Sequence, residues 1–180
     1  MAGLTRFRTF LERILEVWLI VLIVIMTAIV VCAVIWRKAG ASFVWYDEVA
    51  SIMLAWITYY GAALAALKRA HIGFDGILLA FPMRLRMVAL AVSEALVFLF
   101  FMVLAWSGWV VLGVLQGMSL ISLPWVPVVL TQSVIPIGAI LFIVCEALSL
   151  PDYVSRVRAG VSHDEIEVAQ QMHEQEAGRA

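Results

Sequence analysis

Four long apolar runs, divided by short polar stretches, set the pattern of this chain. The first extends from Val17 to Trp36, twenty residues without a charge. At about 1.5 Å of rise per residue, such a helix spans roughly 30 Å, the thickness of a bilayer's hydrocarbon core. The second, Val49 to Leu67, has nineteen uncharged residues. The third reaches from Met87 to Leu115 and is broken only by Glu94. Its twenty-nine residues exceed what a bilayer needs, which predicts a tilted helix or a first two turns lying among the headgroups. The fourth covers Val126 to Cys145, with Glu146 at its end. Pro124 and Pro127 stand at its start, where a missing N–H costs little. Pro136, with Gly138 close behind, predicts a kink within it. The expected fold is therefore an all-α membrane protein of four transmembrane helices.

The connections give these helices a direction. Arg6, Arg8 and Arg13 precede the first run, which is longer than a cleaved signal core and predicts a retained signal-anchor helix. Lys68, Arg69, Arg84 and Arg86 lie between runs two and three, and Arg156, Arg158 and Arg179 follow run four. Those segments hold ten of the twelve Lys and Arg residues, leaving only Arg37 and Lys38 for the first loop. The positive-inside rule then places both termini and the middle loop in the cytoplasm of an inner-membrane protein. Trp36, Trp45, Trp109 and Trp125 fall near the outer interface of this frame and Trp18 near the inner one, as amphipathic rings favour. Ile77, Leu78, Leu79 and Phe81, flanked by basic residues and ended by Pro82, predict a short interfacial segment between helices two and three. Beyond Pro151 the chain turns polar, so residues 1–150 read as the transmembrane domain and 151–180 as a cytoplasmic tail. Within that tail, Ser162 and Glu165 have capping-box spacing, which predicts a short helix from Asp164 to Glu176.

Composition agrees and narrows the chemistry. The chain is 64% hydrophobic and 14% charged, whereas soluble domains run near 45–50% apolar and about 25% charged. With a net charge of -1 and no basic stripe interleaved with aromatics, nucleic acid is not an expected partner. Membrane lipid is. No phosphate-binding GxxxxGK[ST] loop occurs. His71, His163 and His173 all lie outside the apolar runs, and no metal-ligand spacing is present. The sequence thus points to no cofactor and no enzymatic activity. Cys32 and Cys145 map near opposite bilayer faces, too far apart for a disulfide, and are expected to pack in the interior.

Ionisable and small residues near the spans are the remaining candidates for a role. Glu94, two turns from Arg86, sits near the cytoplasmic boundary. There it reads as a relay for protons or cations, as an interfacial carboxylate, or as a polar contact to a partner helix. Trp45, Tyr46, Asp47 and Glu48 cluster at the outer start of helix two, where acidic residues suit the helix dipole and serve structure or subunit packing, or dock a soluble partner from the outer side. The pairs Gly61/Ala65 and Ala62/Ala66 are small residues four apart, a pattern that lets helix backbones approach closely, and Gly113/Gly117 repeat it. His71 and Asp75 share a face if that stretch is helical.

Two stretches together resemble the small, DctQ-type membrane component of tripartite ATP-independent periplasmic (TRAP) transporters. The first runs from Trp45 to Asp75 and carries Asp47-Glu48, Trp56, Gly61-Ala62, His71-Ile72 and Asp75. The second runs from Ser119 to Leu141 and carries Leu123-Pro124 and Pro136-Ile137-Gly138. Tyr60 stands where the family pattern often has Phe, and the likeness covers roughly residues 10–150. The resemblance implies two partners: a large membrane subunit on a separate chain, and a periplasmic solute-binding protein that delivers an organic anion. It further implies uptake driven by an ion gradient, with the transport site mainly in the large subunit and this chain bracing the static scaffold. The alternative is a stand-alone small proton-coupled antiporter. Such proteins place an essential carboxylate deep in the first span, and Val17–Trp36 contains none.

Overall fold

The computed structural model describes residues 2–41, 43–69 and 81–159. The apolar runs become helices α1 (Ala2–Lys38), α2 (Tyr46–Lys68), α3 (Met83–Val114) and a fourth unit in two parts, α4 (Val128–Gln132) and α5 (Val134–Ala159). Four of these units are long and apolar enough to cross a membrane. The interfacial segment expected before Pro82 and the tail helix at Asp164–Glu176 lie almost wholly outside the described residues.

Two boundaries differ from the sequence reading. Helix α1 begins at Ala2 rather than near Val17. Its basic first turns stay helical because Leu11, Leu15 and Leu19 keep the apolar period on the side that packs against α2. Helix α5 runs through Pro151 to Ala159, so the first residues of the polar tail are helical as well.

The kink expected at Pro136 takes the form of a break one turn earlier. Ser133 separates α4 from α5, and Pro136 occupies the first turn of α5, where N–H groups have no intrahelical acceptor in any case. Pro127 caps α4, as its position before the fourth run suggests. Pro124 does not belong to the helix start. It is the second residue of a tight turn closed by Val126 N–H donating to Leu123 C=O at 2.9 Å, a place that suits its fixed φ. That turn tips a short hairpin between α3 and α4, held by Leu120 N to Val126 O and Val128 N to Met118 O, both at 3.0 Å.

Packing is uneven. Helices α2 and α5 form the central pair, α1 lies chiefly on α2, and α3 lies chiefly on α5. No extended interface joins α1 to α3 among the described residues. The core gathers Leu15 from α1, Ala63, Ala66 and Leu67 from α2, and Phe142 and Cys145 from α5. Phe101 of α3 stacks on Phe142 with ring centroids 3.6 Å apart. Cys145 packs as expected, but Cys32 is exposed on α1, because only the opposite stripe of that helix meets α2. Large apolar side chains on the outer faces, such as Leu96, Leu99, Val103 and Trp106 on α3, are exposed.

Candidate functional site

Paired charges mark one end of the bundle. The segments from Glu16 to Trp36, Glu48 to Lys68 and Glu94 to Val114 each advance twenty residues, or roughly 30 Å of helix. Polar contacts therefore gather at two levels about one hydrocarbon thickness apart. At one level stand Glu16, Lys68, Arg69, Glu94 and Glu146, and at the other Glu48 and the α3–α4 hairpin.

Arg69 is the centre of the first level. It follows α2 in the left-handed backbone conformation (φ 54°), which few non-glycine residues adopt. That conformation ends the helix, with the Arg69 N–H donating to the carbonyls of Ala65 and Ala66. The side chain reaches α3 and α5. Nη1 lies 2.7 Å from Glu94 Oε1 on α3 and 2.7 Å from Glu146 Oε1 on α5. Nε donates to Ser149 Oγ at 2.9 Å, and that hydroxyl donates in turn to the Glu146 carbonyl. The guanidinium also sits 4.5 Å from the centroid of the Tyr153 ring, within cation–π range. The side chains of Arg69, Glu94 and Glu146 are only 11%, 13% and 6% exposed. A guanidinium buried this deeply is tolerable only with carboxylates around it, and the reverse also holds. The cluster therefore ties α2, α3 and α5 together at one point.

Further pairs extend this level to α1. Lys68 bridges to Glu12 at 3.3 Å and also contacts Glu16. Arg8 pairs with Asp152 of α5 and donates from Nη2 to the Leu67 carbonyl at 3.0 Å. No group of three potential metal ligands forms among the described residues.

At the opposite level Glu48 holds the hairpin. Its carboxylate accepts from the backbone N–H groups of Ile121 at 3.3 Å and Ser122 at 3.0 Å, and from the Ser122 hydroxyl. Asp47 and Glu48 both lie in the first turn of α2, but only Glu48 is seen to make contacts with another element. Trp45 meets Phe43, and Phe43 meets Trp36, in tilted ring contacts, so aromatic rings close the α1–α2 connection.

Between the two levels the motif residues serve packing. Trp56 Nε1 donates to the Thr131 carbonyl at 3.1 Å, next to the α4–α5 break, so α2 satisfies backbone beside the interruption. Gly138 lets α5 meet α2. A Cβ there would lie 2.7 Å from Tyr59 Cβ. Gly108 does the same for α3, since a Cβ would lie 2.9 Å from Pro136 Cδ. The Pro136-Ile137-Gly138 motif is thus the place where three helices come closest. Gly61 is different: a Cβ there meets nothing within 4 Å, and Ala62 beside it is only half-buried. Of the small residues of α2, Ala66 is buried in the core and Ala62 packs against it, while the Cβ position of Gly61 is open. His71 and Asp75 lie outside the described residues.

Sequence reasoning singled out Glu94 but passed over its partner Arg69, counting it only toward the basic loop. Two carboxylates at one depth, Glu94 and Glu146, were the signal that a cation had to meet them. Gly108 was also missed, for the residues four before and after it are Leu104 and Leu112 rather than small ones.

Among curated proteins none matches the chain. A family description does match, that of tripartite ATP-independent periplasmic transporters, DctQ component, over residues 26–153. The match takes in α2, α3 and α4 whole, with Glu48, Arg69, Glu94 and Glu146 inside it. Four membrane-spanning helices and a family model covering most of their length lead to one conclusion: the chain belongs to the DctQ family, the small membrane component of TRAP transporters.

Proposed function

We propose that this chain is the non-catalytic scaffold subunit of a TRAP transporter. It braces a large membrane subunit, carried on a separate chain, that moves an organic anion inward on an ion gradient. A periplasmic solute-binding protein hands over the anion. Both termini and the Arg69 level face the cytoplasm, and the Glu48 hairpin faces the periplasm.

One observation carries the reading against a self-sufficient carrier. Residues 17–36, 49–67, 95–115 and 126–145 contain no Asp, Glu, Lys, Arg or His. A carrier that binds and releases a proton or an anion within the bilayer needs such a group part-way across. Here the ionisable side chains lie at the ends, and the buried ones are engaged in holding helices together. Exposed apolar faces on α1 and α3 supply surface for lipid and for a partner helix.

The test is reconstitution. Vesicles holding this chain alone are expected to take up nothing, and vesicles holding it with its large subunit and binding protein are expected to accumulate substrate down an imposed ion gradient. Uptake or proton-coupled efflux by the chain alone, lost on Glu94→Gln, would overturn the proposal.

A further inference from the structure

The α3–α4 hairpin is free of formal charge. From residue 95 to residue 145 the chain has no Asp, Glu, Lys, Arg or His, whereas turns that run through water are normally polar. Two observations fix its depth. Helix α3 ends at Val114, twenty residues past Glu94, which is roughly 30 Å of helix, or one hydrocarbon thickness, from the Arg69 level. The tip does not stand off into water from there, because Ile121 and Ser122 donate to Glu48 in the first turn of α2. The hairpin therefore lies along the end of the bundle, where headgroups are found. Exposure divides its side chains. Leu120, whose N–H donates to the Val126 carbonyl, is buried, and Val126 is half-buried. Ile121 and Trp125, the next residues toward the tip, are 95% and 79% exposed, the alternation expected of strands with one covered face. Pro124 is exposed beside them. Trp36 and Trp109, close to the same ends of α1 and α3, are exposed as well, so indoles collect at this depth.

We propose that Ile121 and Trp125 anchor the hairpin in the headgroup layer of the bilayer, at the end of the bundle opposite Arg69. Three features favour lipid as the occupant of this surface. An indole beside an aliphatic side chain, on a segment without charge, has the composition of an interfacial anchor. The footprint of a soluble protein carries a polar, solvated rim, and the hairpin offers no charged group for one. Its backbone is also largely satisfied from within. Of nine N–H groups from Met118 to Val128, six are seen to donate inside the chain, and Pro124 and Pro127 have none to satisfy. Such a backbone leaves bulk water at little cost. The anchor holds the adjoining ends of α3 and α4 at a fixed depth. It needs only this chain and a bilayer, and so stands apart from the scaffold reading.

A spin label on the hairpin of the full-length chain in phosphatidylcholine vesicles tests the anchor. Ser119→Cys carries the label, since Ser119 is exposed, with Cys32→Ser and Cys145→Ala removing the native thiols. With Ile121 and Trp125 in place, the label is expected to meet dissolved oxygen more often than a water-soluble nickel chelate. Adding Ile121→Asn and Trp125→Ser should raise the nickel collisions several-fold, while the Ser122 amide keeps its protection from deuterium exchange. If that protection is lost, Trp125→Ser alone must still raise them. A label open to nickel in the starting chain, or unmoved by the substitutions, overturns the anchor. Nickel access that ends only when the solute-binding protein is added overturns it in favour of a soluble partner. A label shielded from oxygen and nickel alike overturns it in favour of a protein contact, such as a second copy of this chain.

Discussion

Arg69 shows how one side chain can be worth more than its surroundings suggest. Removing it leaves Glu94 and Glu146 facing each other in a site nearly closed to water. Breaking a buried pair in this way costs about 3–5 kcal/mol, because the remaining charges lose their partner and keep their desolvation. Arg69→Gln is therefore expected to lower the thermal midpoint of the detergent-purified chain steeply. Restoring neutrality with Glu94→Gln and Glu146→Gln in the same chain should recover much of the loss, and a midpoint unmoved by Arg69→Gln would contradict the geometry. The glycines divide along the same line of intramolecular against external contact. Gly138→Val forces a β-carbon into Tyr59, a clash at the root of the side chain that rotation cannot relieve, at a cost of about 1–3 kcal/mol. Gly61→Leu meets open space and should leave the isolated chain as stable as before. If the strip of α2 around Gly61 receives the large subunit, recovery of the complex falls in the Gly61→Leu variant alone. Equal behaviour of the two variants in both assays would separate neither role.

Whole elements are held by few but well-placed contacts. The α3–α4 hairpin rests on Glu48, whose carboxylate takes three donors from Ile121 and Ser122. Its backbone bridge between Ser119 and Pro127 is short and isolated. In Glu48→Ala the amides of Ile121 and Ser122 are expected to exchange with deuterium markedly faster, while the amides in the middle of α2 keep their protection. Unchanged exchange at Ser122 would mean that the hairpin stands by itself. The fourth span makes the complementary point: a proline and a glycine placed in mid-membrane weaken a helix when considered alone. Here they give a break at Ser133 and a close approach of α5 to α2 and α3, with Trp56 bonding to a carbonyl beside the break.

At the scale of the molecule, the four spans could be read directly from hydrophobic run length, since a helix needs about twenty apolar residues to cross the hydrocarbon core and satisfies its own backbone there. The proposed orientation rests on the arginines by the positive-inside rule. Reporter fusions after Arg86 and at the C-terminus should both be active in the cytoplasm, and a fusion at Ser119 in the periplasm. A periplasmic Arg86 would reverse the frame. Neighbour relations were not legible. Run length says nothing of which helix touches which, because lipid and protein interiors are equally apolar and no amphipathic stripe marks the buried side. For the same reason the packing glycines could not be told from open ones: Gly61 with Ala65 has the spacing of an interface and Gly108 has not, yet only Gly108 is in close contact. Arg69 escaped notice because its destination depends on α3 and α5, which are distant in sequence.

Two of the three main helix interfaces depend on α5, which bears on biosynthesis. When α3 leaves the translocon, its eventual neighbour has not yet been made, and α2 likewise holds only α1. Both wait in lipid with glycine and carboxylate surfaces uncovered until residues 134–159 emerge. The nascent protein is thus consolidated last and all at once by its final span, which makes that stage the one most exposed to quality-control proteases.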